Sequence, residues 1–459
     1  MDLKIHLKVG PTHRLLVLIL IWTLGCLSLP AEPPDLKNII IISVDTLRAD
    51  HLGCYGYPLN TSPEIDAFSR DGLLFSRSYT ITPLTSPAFA SMLTSLPPHK
   101  HGSKRNGLSI YSNIHTLPWF LKSHGYICAA FISTWSLRKK LCGLDRDFNL
   151  YDEVLGKRRW MGILNTEGKA RNVTQRASTW LEKNQDKKIF LWIHYIEPHA
   201  PYIFHRKFRF DFQKKNKSLY PAGTQFKKIE KYDSEIGLTD FYIGKMIAKI
   251  KSLGLYRDAL IIFNSDHGES FGEHKYFRHG RNLYNSTLLV PLIIKPPGNR
   301  PEKRIRNDSA SILDISPTIL SILKIPLPPH MEGINLMVPD RRKKVFFETY
   351  KGTVVLKKGI KFKTRVYPIK YSLVRNSRKI ILTDRTRRFE VFNLKNDGFE
   401  LNNIYKFQNE KFLALESELK QYAKAVKGCI KKTRNYHLNP SKLSQEDIEK
   451  LKSLGYIQD

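Results

Sequence analysis

Acidic residues are scarce in this 459-residue sequence: 42 Asp and Glu face 75 Lys and Arg, a formal net charge of +33. With 11% aromatic residues as well, the chain is not of the low-hydrophobicity, acidic kind that stays disordered. Cysteines are few, five in all, and no two have zinc-ligand spacing, which argues against a structural zinc site. No internal repeat and no low-complexity tract is present, so solenoid and fibrous architectures are set aside. Long apolar runs are missing too. The longest, Leu15–Leu29, has the length of a signal-peptide core and is short for a membrane span.

The excess of positive charge produces a long-range field that attracts anions. Nucleic acid, an anionic membrane and sulfated or phosphorylated compounds would all answer it. The basic residues are spread along the chain with no nucleic-acid-binding motif, so no nucleic-acid partner is expected. A solvated basic surface explains the charge equally well.

Lys4, Lys8, His13 and Arg14 precede the apolar run, and Pro30, Pro33 and Pro34 break any helix after it. Residues 1–34 therefore read as a signal peptide cleaved near Ala31 or, uncleaved, as a membrane anchor through residues 15–29. Either reading makes the protein exported, periplasmic or extracellular, where the remaining Cys54, Cys128, Cys142 and Cys429 are permitted one or two disulfides.

From Asn38 the texture alternates strand and helix. Ile39–Val44 is a nearly continuous β-branched run, as in a strand buried on both faces, and Ile127–Ile132, Ile189–His194, Leu260–Asn264 and Val290–Ile294 resemble it. Between the last two and their predecessors, Ile236, Ile243, Met246, Ile247, Ile250 and Leu253 share a helix face. The pattern predicts an α/β fold: a mostly parallel central sheet flanked by helices over residues 35–340. Residues 341–459 change character, with short strands Val345–Phe347, Tyr371–Val374, Lys379–Leu382 and Phe389–Phe392, then helices near Glu410–Lys427 and Ser444–Tyr456. A small C-terminal antiparallel sheet plus helix is expected there.

In parallel α/β sheets ligands sit beyond the carboxyl ends of the strands. Asp45 follows the first strand; an Asp there can hold a cation or cap a helix. Asp266-His267-Gly268 follows Leu260–Asn264, an oxygen and a nitrogen donor side by side that suit a divalent metal. His199 lies in the proline-stiffened loop Glu197-Pro198-His199-Ala200-Pro201, and His279 in His279-Gly280. In Thr85-Ser86-Pro87 hydroxyls stand at a helix start, where free N–H groups and the positive dipole end draw an anionic ester. A plain Ser/Thr cap has the same appearance.

Together these segments resemble the sulfatase family of the alkaline-phosphatase superfamily. The resemblance rests on IIIISVDTLRADHLGCYGY, LTSPAFASMLTSLPPHKHG, HYIEPHAPY, GLYRDALIIFNSDHGESFGEH and LDISPTILSIL, over about residues 37–340. It implies an alkaline-phosphatase-like fold with Asp45, Asp266 and His267 as metal ligands. Thr85 would complete the shell and attack sulfur or phosphorus through a covalent intermediate. His199 and His279 would hold the anion or protonate the leaving oxygen, and Asn106 would touch the bound group. Calcium is the ion the resemblance implies, and the imidazole of His267 also suits manganese or zinc. The substrate would be an anionic ester of a small molecule, glycan or lipid. Three positions depart from the family pattern: Thr85 replaces the Cys or Ser that becomes formylglycine, Phe89 replaces an arginine, and Thr46 replaces the second of two adjacent aspartates. Ser86 as nucleophile would misplace Pro87 within the motif. Two other readings stand beside hydrolysis: a membrane-associated phosphoryl-group transferase, and a non-catalytic binder of polyanions.

Overall fold

The computed structural model describes residues 36–156, 168–210, 217, 220–298, 301–302, 304–339, 342–350 and 366–432. The apolar segment at residues 15–29, the proposed cleavage region and the helix expected at Ser444–Tyr456 lie outside the described residues. Among the described residues no helix is long and apolar enough to cross a membrane.

An eight-stranded sheet organises the larger part. Its strands in chain order are β1 (Asn38–Val44), β2 (Leu73–Tyr79), β3 (Ile127–Ile132), β4 (Leu150–Glu153), β5 (Ile189–Tyr195), β6 (Leu260–Ser265), then β9 (Leu292–Lys295) and β10 (Ile305–Ser311). A two-stranded hairpin, β7 (Ser270–Phe271) and β8 (Phe277–Arg278), intervenes outside the sheet. The spatial order is β10-β2-β9-β6-β1-β5-β3-β4. All pairings in it are parallel except those of β9, which runs antiparallel to both β6 and β2.

The β-branched run of β1 is wholly buried because both faces of the sheet are covered. Ile39 and Ile41 point to one apolar cluster and Ile40 and Ile42 to the other, the two-residue period of a strand. On the first side lie α1 (Thr85–Thr94), contributing Phe89, Met92 and Leu93, and α4 (Ile315–Ile322). On the second lie α2 (Ala170–Lys183) and the long α3 (Phe226–Ser252), which presents Ile229, Ile236, Ile243, Met246 and Ile250. Each such side chain contributes about 1.5–3 kcal/mol by leaving water.

The C-terminal part is an antiparallel meander, β11 (Lys344–Thr349), β12 (Lys370–Arg375), β13 (Arg378–Thr383) and β14 (Arg388–Asn393), backed by α5 (Glu410–Lys432). Asn376 and Ser377 join β12 to β13 with φ of 49° and 59°, the left-handed pair that a two-residue hairpin turn of matching twist requires. One face packs on α5 through Leu373, Ile380, Val391, Leu419 and Val426. The other sets Val345, Phe347 and Val374 against Tyr79, Ile81 and Leu283. Cys54, Cys128, Cys142 and Cys429 are all free thiols, so neither of the permitted disulfides forms among them.

Candidate active site

Strand order explains why distant segments meet. β1 lies between β6 and β5, with Val44 level with Ser265 on one side and Tyr195 on the other. Asp45 and Asp266 are the next residues of β1 and β6, so their carboxylates emerge side by side at the sheet's carboxyl edge.

Both loops are tied down by backbone and side-chain bonds. Asp45 N–H donates to Tyr195 O at 2.8 Å, extending the β1–β5 pairing by one residue. Thr46 turns the chain with φ of 55°, and its N–H donates to Asp266 Oδ1 at 3.1 Å. Arg48 joins the first loop to the second, donating to Asp50, to Glu273 Oε1 at 2.6 Å and to the Glu269 carbonyl at 3.0 Å. Gly268 has no room for a side chain: a Cβ there would stand 2.2 Å from Ser286 O.

One ligand atom each from Asp45, Asp266 and His267 lies within 4.8 Å of the other two, and all three residues are buried. The tautomer of His267 can be derived. Its Nδ1 is 3.0 Å from the Gly268 carbonyl, which can only accept, so Nδ1 carries the hydrogen. Burial, aided by the charge of His279, holds its pKa well below the ordinary histidine value, so the ring is neutral and Nε2 presents a lone pair. That nitrogen is 3.3 Å from Asp266 Oδ2, which accepts no hydrogen bond. An imidazole lone pair thus faces a carboxylate oxygen in a dry site, an arrangement a cation would relieve. Burial pushes the Asp266 carboxyl pKa upward, a further sign that this acid lacks its counter-charge. Two carboxylates and one imidazole suit a hard or borderline divalent ion, so the donor set fits the metal the resemblance implies.

Thr85 is the first residue of α1 and fully buried, with Oγ1 3.3 Å from His267 Nε2. Because that nitrogen is unprotonated, the threonine hydroxyl is the donor. Asn106 accepts from the Ser86 N–H at 2.9 Å, while its Nδ2 is buried without a hydrogen-bond partner. Next to it, Arg105 Nε is shut off from water without a partner. Unused donors here favour an anion beside the start of α1. The turn before them is fixed by His101, whose Nδ1 accepts from Ser103 N–H; its Nε2–H therefore goes to Ser91 Oγ at 2.9 Å, on α1 itself.

The three site histidines adjoin: ring centroids of His267 and His279 are 4.3 Å apart, and those of His279 and His199 5.3 Å. His199 Nδ1 donates to the Ala200 carbonyl at 2.7 Å. Burial lowers its pKa to about 3, with the charge of His279 adding to the effect. His279 Nδ1 is 3.1 Å from Glu269 Oε1. Burial opposes ionisation of Glu269, but His279 and the Tyr202 hydroxyl at 2.7 Å outweigh it and bring the carboxyl to about 2.

Two participants escape a reading by motif. His194, the sixth residue of β5, has Nε2 3.6 Å from Asp45 Oδ2 and lies edge-on to Phe89, ring centroids 4.8 Å apart. Burial holds it near pKa 4, so it faces Asp45 as a neutral imidazole. Glu269 is the anion behind His279. For His194 the signal was its strand-end position, the same that marked Asp45. For Glu269 it was membership of the Asp266–Glu269 turn.

A mostly parallel α/β sheet with a buried carboxylate–imidazole cluster at its rim, facing a hydroxyl at a helix start, defines the alkaline-phosphatase superfamily class. Within it the chain belongs to the sulfatase family, whose profile matches residues 37–325. A second profile, N-sulphoglucosamine sulphohydrolase, C-terminal, matches residues 272–427. An ulvan-active sulfatase of Formosa agariphila is 26% identical over 337 residues, 66% of this chain and 65% of that protein. The chain thus spans just under two thirds of that relative. Among solved structures, a protein bound to its substrate D-glucosamine-2-N,6-O-disulfate superposes with a TM-score of 0.67 at 17% identity, covering 89% of this chain and 100% of that one. A phosphonate monoester hydrolase from Silicibacter pomeroyi gives 0.63 at 18% identity, covering 88% and 96%.

Proposed function

We propose that the chain is an exported, metal-dependent hydrolase of sulfate esters in which Thr85 is the attacking group. The observation that carries this is the hydroxyl of Thr85 at 3.3 Å from His267 Nε2, within a buried set that also holds Asp45 and Asp266. Asp45, Asp266, His267 and Thr85 would hold the ion. When bound, a divalent cation there would draw the proton off the threonine hydroxyl and neutralise the ester's charge.

The chain's own residues do the rest. Asn106 Nδ2 and Arg105 Nε, beside the start of α1, receive the sulfate oxygens. Thr85 Oγ1 attacks in line; a threonine–sulfur ester bond forms as the bond from sulfur to the leaving alcohol breaks. The departing oxygen takes a proton from His279, while neutral His199, whose ring hydrogen goes to the Ala200 carbonyl, stands beside it. Glu269 suits His279 to that task, since its carboxylate, 3.1 Å from Nδ1, fixes the orientation of the ring. Water then cleaves the sulfothreonine, releasing sulfate. Two of the similar proteins, an ulvan-active sulfatase and a protein bound to its disulfated glucosamine substrate, support a sulfated glycan as substrate.

Threonine in place of the aldehyde-forming residue favours one second reading, a phosphate or phosphonate ester handled by the same machinery. A panel of aryl sulfate, phosphate monoester, phosphodiester and phosphonate monoester separates the two. Thr85→Ala should abolish turnover, a loss of 10³-fold or more, with the melting temperature unchanged. Full activity in that variant would remove Thr85 from the chemistry.

A further inference from the structure

Beside the two leaving-group histidines lies a cleft of about 250 Å3. The histidine loop forms one wall, beginning at Ala200, the residue whose carbonyl orients His199. The hairpin β7–β8 forms another, ending at Arg278, the neighbour of His279. The first turns of α3 close it with Lys228 and Lys231, three residues apart and so on one helix face. Cleft and candidate catalytic groups are therefore consecutive along two separate segments of chain.

Its lining is one-sided in charge. Lys228, Lys231 and Arg278 line it, and among the described residues no aspartate or glutamate does. Lys228 Nζ lies 5.2 Å from the centre of the Phe277 ring, and among the described residues neither Lys228 nor Lys231 makes an ion pair. Tyr202 and Phe277 add aromatic surface, Phe277 being 39% exposed. Drug-sized sites occupy about 300–1,000 Å3, so this space seats one small polar unit such as a sugar ring. Three cations with two aromatic faces fit a ring that presents C–H groups on one side and anionic substituents on its edge.

We propose that this cleft binds the leaving-alcohol side of the substrate, and that this side is itself anionic: a sulfated or carboxylated sugar unit of a polyanionic glycan. The assignment rests on the reading of His199 and His279 as the groups facing the leaving oxygen. It makes a specific claim about the +33 chain, that two lysines among its many basic residues act by position rather than by general attraction.

The test separates the cleft from the hydrolase reading. Lys228→Glu with Lys231→Glu is compared with a control of equal net charge, Lys411→Glu with Lys424→Glu on α5. A heparin-derived tetrasaccharide is titrated calorimetrically into each pair on the Thr85→Ala background, where nothing is consumed. The cleft pair should weaken binding at least tenfold and the control less than twofold. In the otherwise unchanged chain, the cleft pair should lose at least tenfold more kcat/KM on the tetrasaccharide than on 4-nitrophenyl sulfate, whose leaving group carries no acid. Equal weakening in both pairs, undiminished binding in the cleft pair, or parallel loss on the aryl ester overturns the proposal. If the unchanged chain hydrolyses no ester while the cleft pair alone loses the tetrasaccharide, the hydrolase reading fails and the cleft assignment stands.

Discussion

Asp266 makes the sharpest demand on its surroundings. Oδ1 is fully used, accepting from the backbone N–H groups of Thr46 and His267 at 3.1 and 2.8 Å, while Oδ2 faces the lone pair of His267. Asn at this position would keep the first oxygen and place an N–H donor where the second was, turning a repulsive contact into a hydrogen bond. Asp266→Asn should therefore melt at or above the unchanged protein in chelator. With metal supplied, the unchanged protein should gain about 2.7 kcal/mol at a hundredfold excess over Kd and the variant almost nothing. Differential scanning calorimetry with calcium, manganese and zinc, each against chelator, reads both effects. A variant that still gains stability from metal would dissociate Asp266 from the ion.

Among the elements, α1 carries the largest departure from the family pattern. Phe89 fills the position of an expected arginine and is buried between Trp192, centroid distance 5.1 Å, and His194 at 4.8 Å. Trp192 in turn donates to Ser43 Oγ on β1 at 2.8 Å. The aromatic thus braces α1 against the sheet where a cation would otherwise stand. Phe89→Ala should cost about 3–5 kcal/mol in chemical denaturation, since the ring's neighbours cannot collapse into the gap. Phe89→Arg should cost no less, because a guanidinium beside neutral His194 finds no acid free of the metal set; a stable, more active Phe89→Arg would contradict this.

Elements whose residues carry their own periodicity were readable before folding. β1, β3, β5 and β6 lie within one residue of their expected bounds, because strands covered on both faces must be apolar throughout. β2, β4 and β10 were not expected. β10, Ile305–Ser311, holds a sheet edge with mostly polar residues, and β2 mixes Arg77 and Ser76 into its run. Their pairing is a tertiary decision. β9 was foreseen as a strand starting at Val290; its first regular residue is Leu292, and its antiparallel direction has no local signature. The candidate site was legible because strand ends are marked by short motifs. His194 was not, because a histidine inside an apolar strand reads as core.

At the scale of the whole molecule, a buried ion pair helps to fasten the C-terminal sheet. Lys379 Nζ on β13 meets Glu400 Oε1 at 2.7 Å and Asn285 Oδ1 at 3.0 Å, and both charged side chains are sealed from solvent. Lys379→Met alone would strand the Glu400 charge and should cost about 3–5 kcal/mol, while Lys379→Met with Glu400→Gln should recover most of it. Non-recovery in a double-mutant cycle would mean the lysine acts by its packing alone.

Stability against pH is set by three buried acids: Glu197 in the histidine loop, Glu235, which accepts from Ile203 N–H after that loop, and Asp240, which accepts from the N–H groups of Glu64 and Ile65. Burial raises each of the three to about 7; for Glu197 the charge of Glu235 adds to this, and for Asp240 that of Glu64. Unfolded, such groups ionise near pH 4. Between about pH 4 and 7 the native chain therefore keeps protons that the unfolded chain has lost. Stability from these groups is complete below pH 4 and falls as pH rises through 7. Buried neutral His101 and His194, lowered by burial to about 3 and 4, act in the opposite sense below their unfolded value near 6.5. The raw pH profile is a sum of the two, so a variant must isolate one. Glu235→Gln reproduces the protonated acid: Oε1 still accepts from Ile203 N–H, and the amide nitrogen replaces the oxygen that stands 3.1 Å from His205 Nε2. In chelator, its stability relative to the unchanged protein should be near zero at pH 4, grow as pH rises to about 7 and level off above it, by about 1.4 kcal/mol for each unit of raised pKa. A difference that stayed constant across that range would mean Glu235 is ionised in the folded chain, with His205 holding the proton instead.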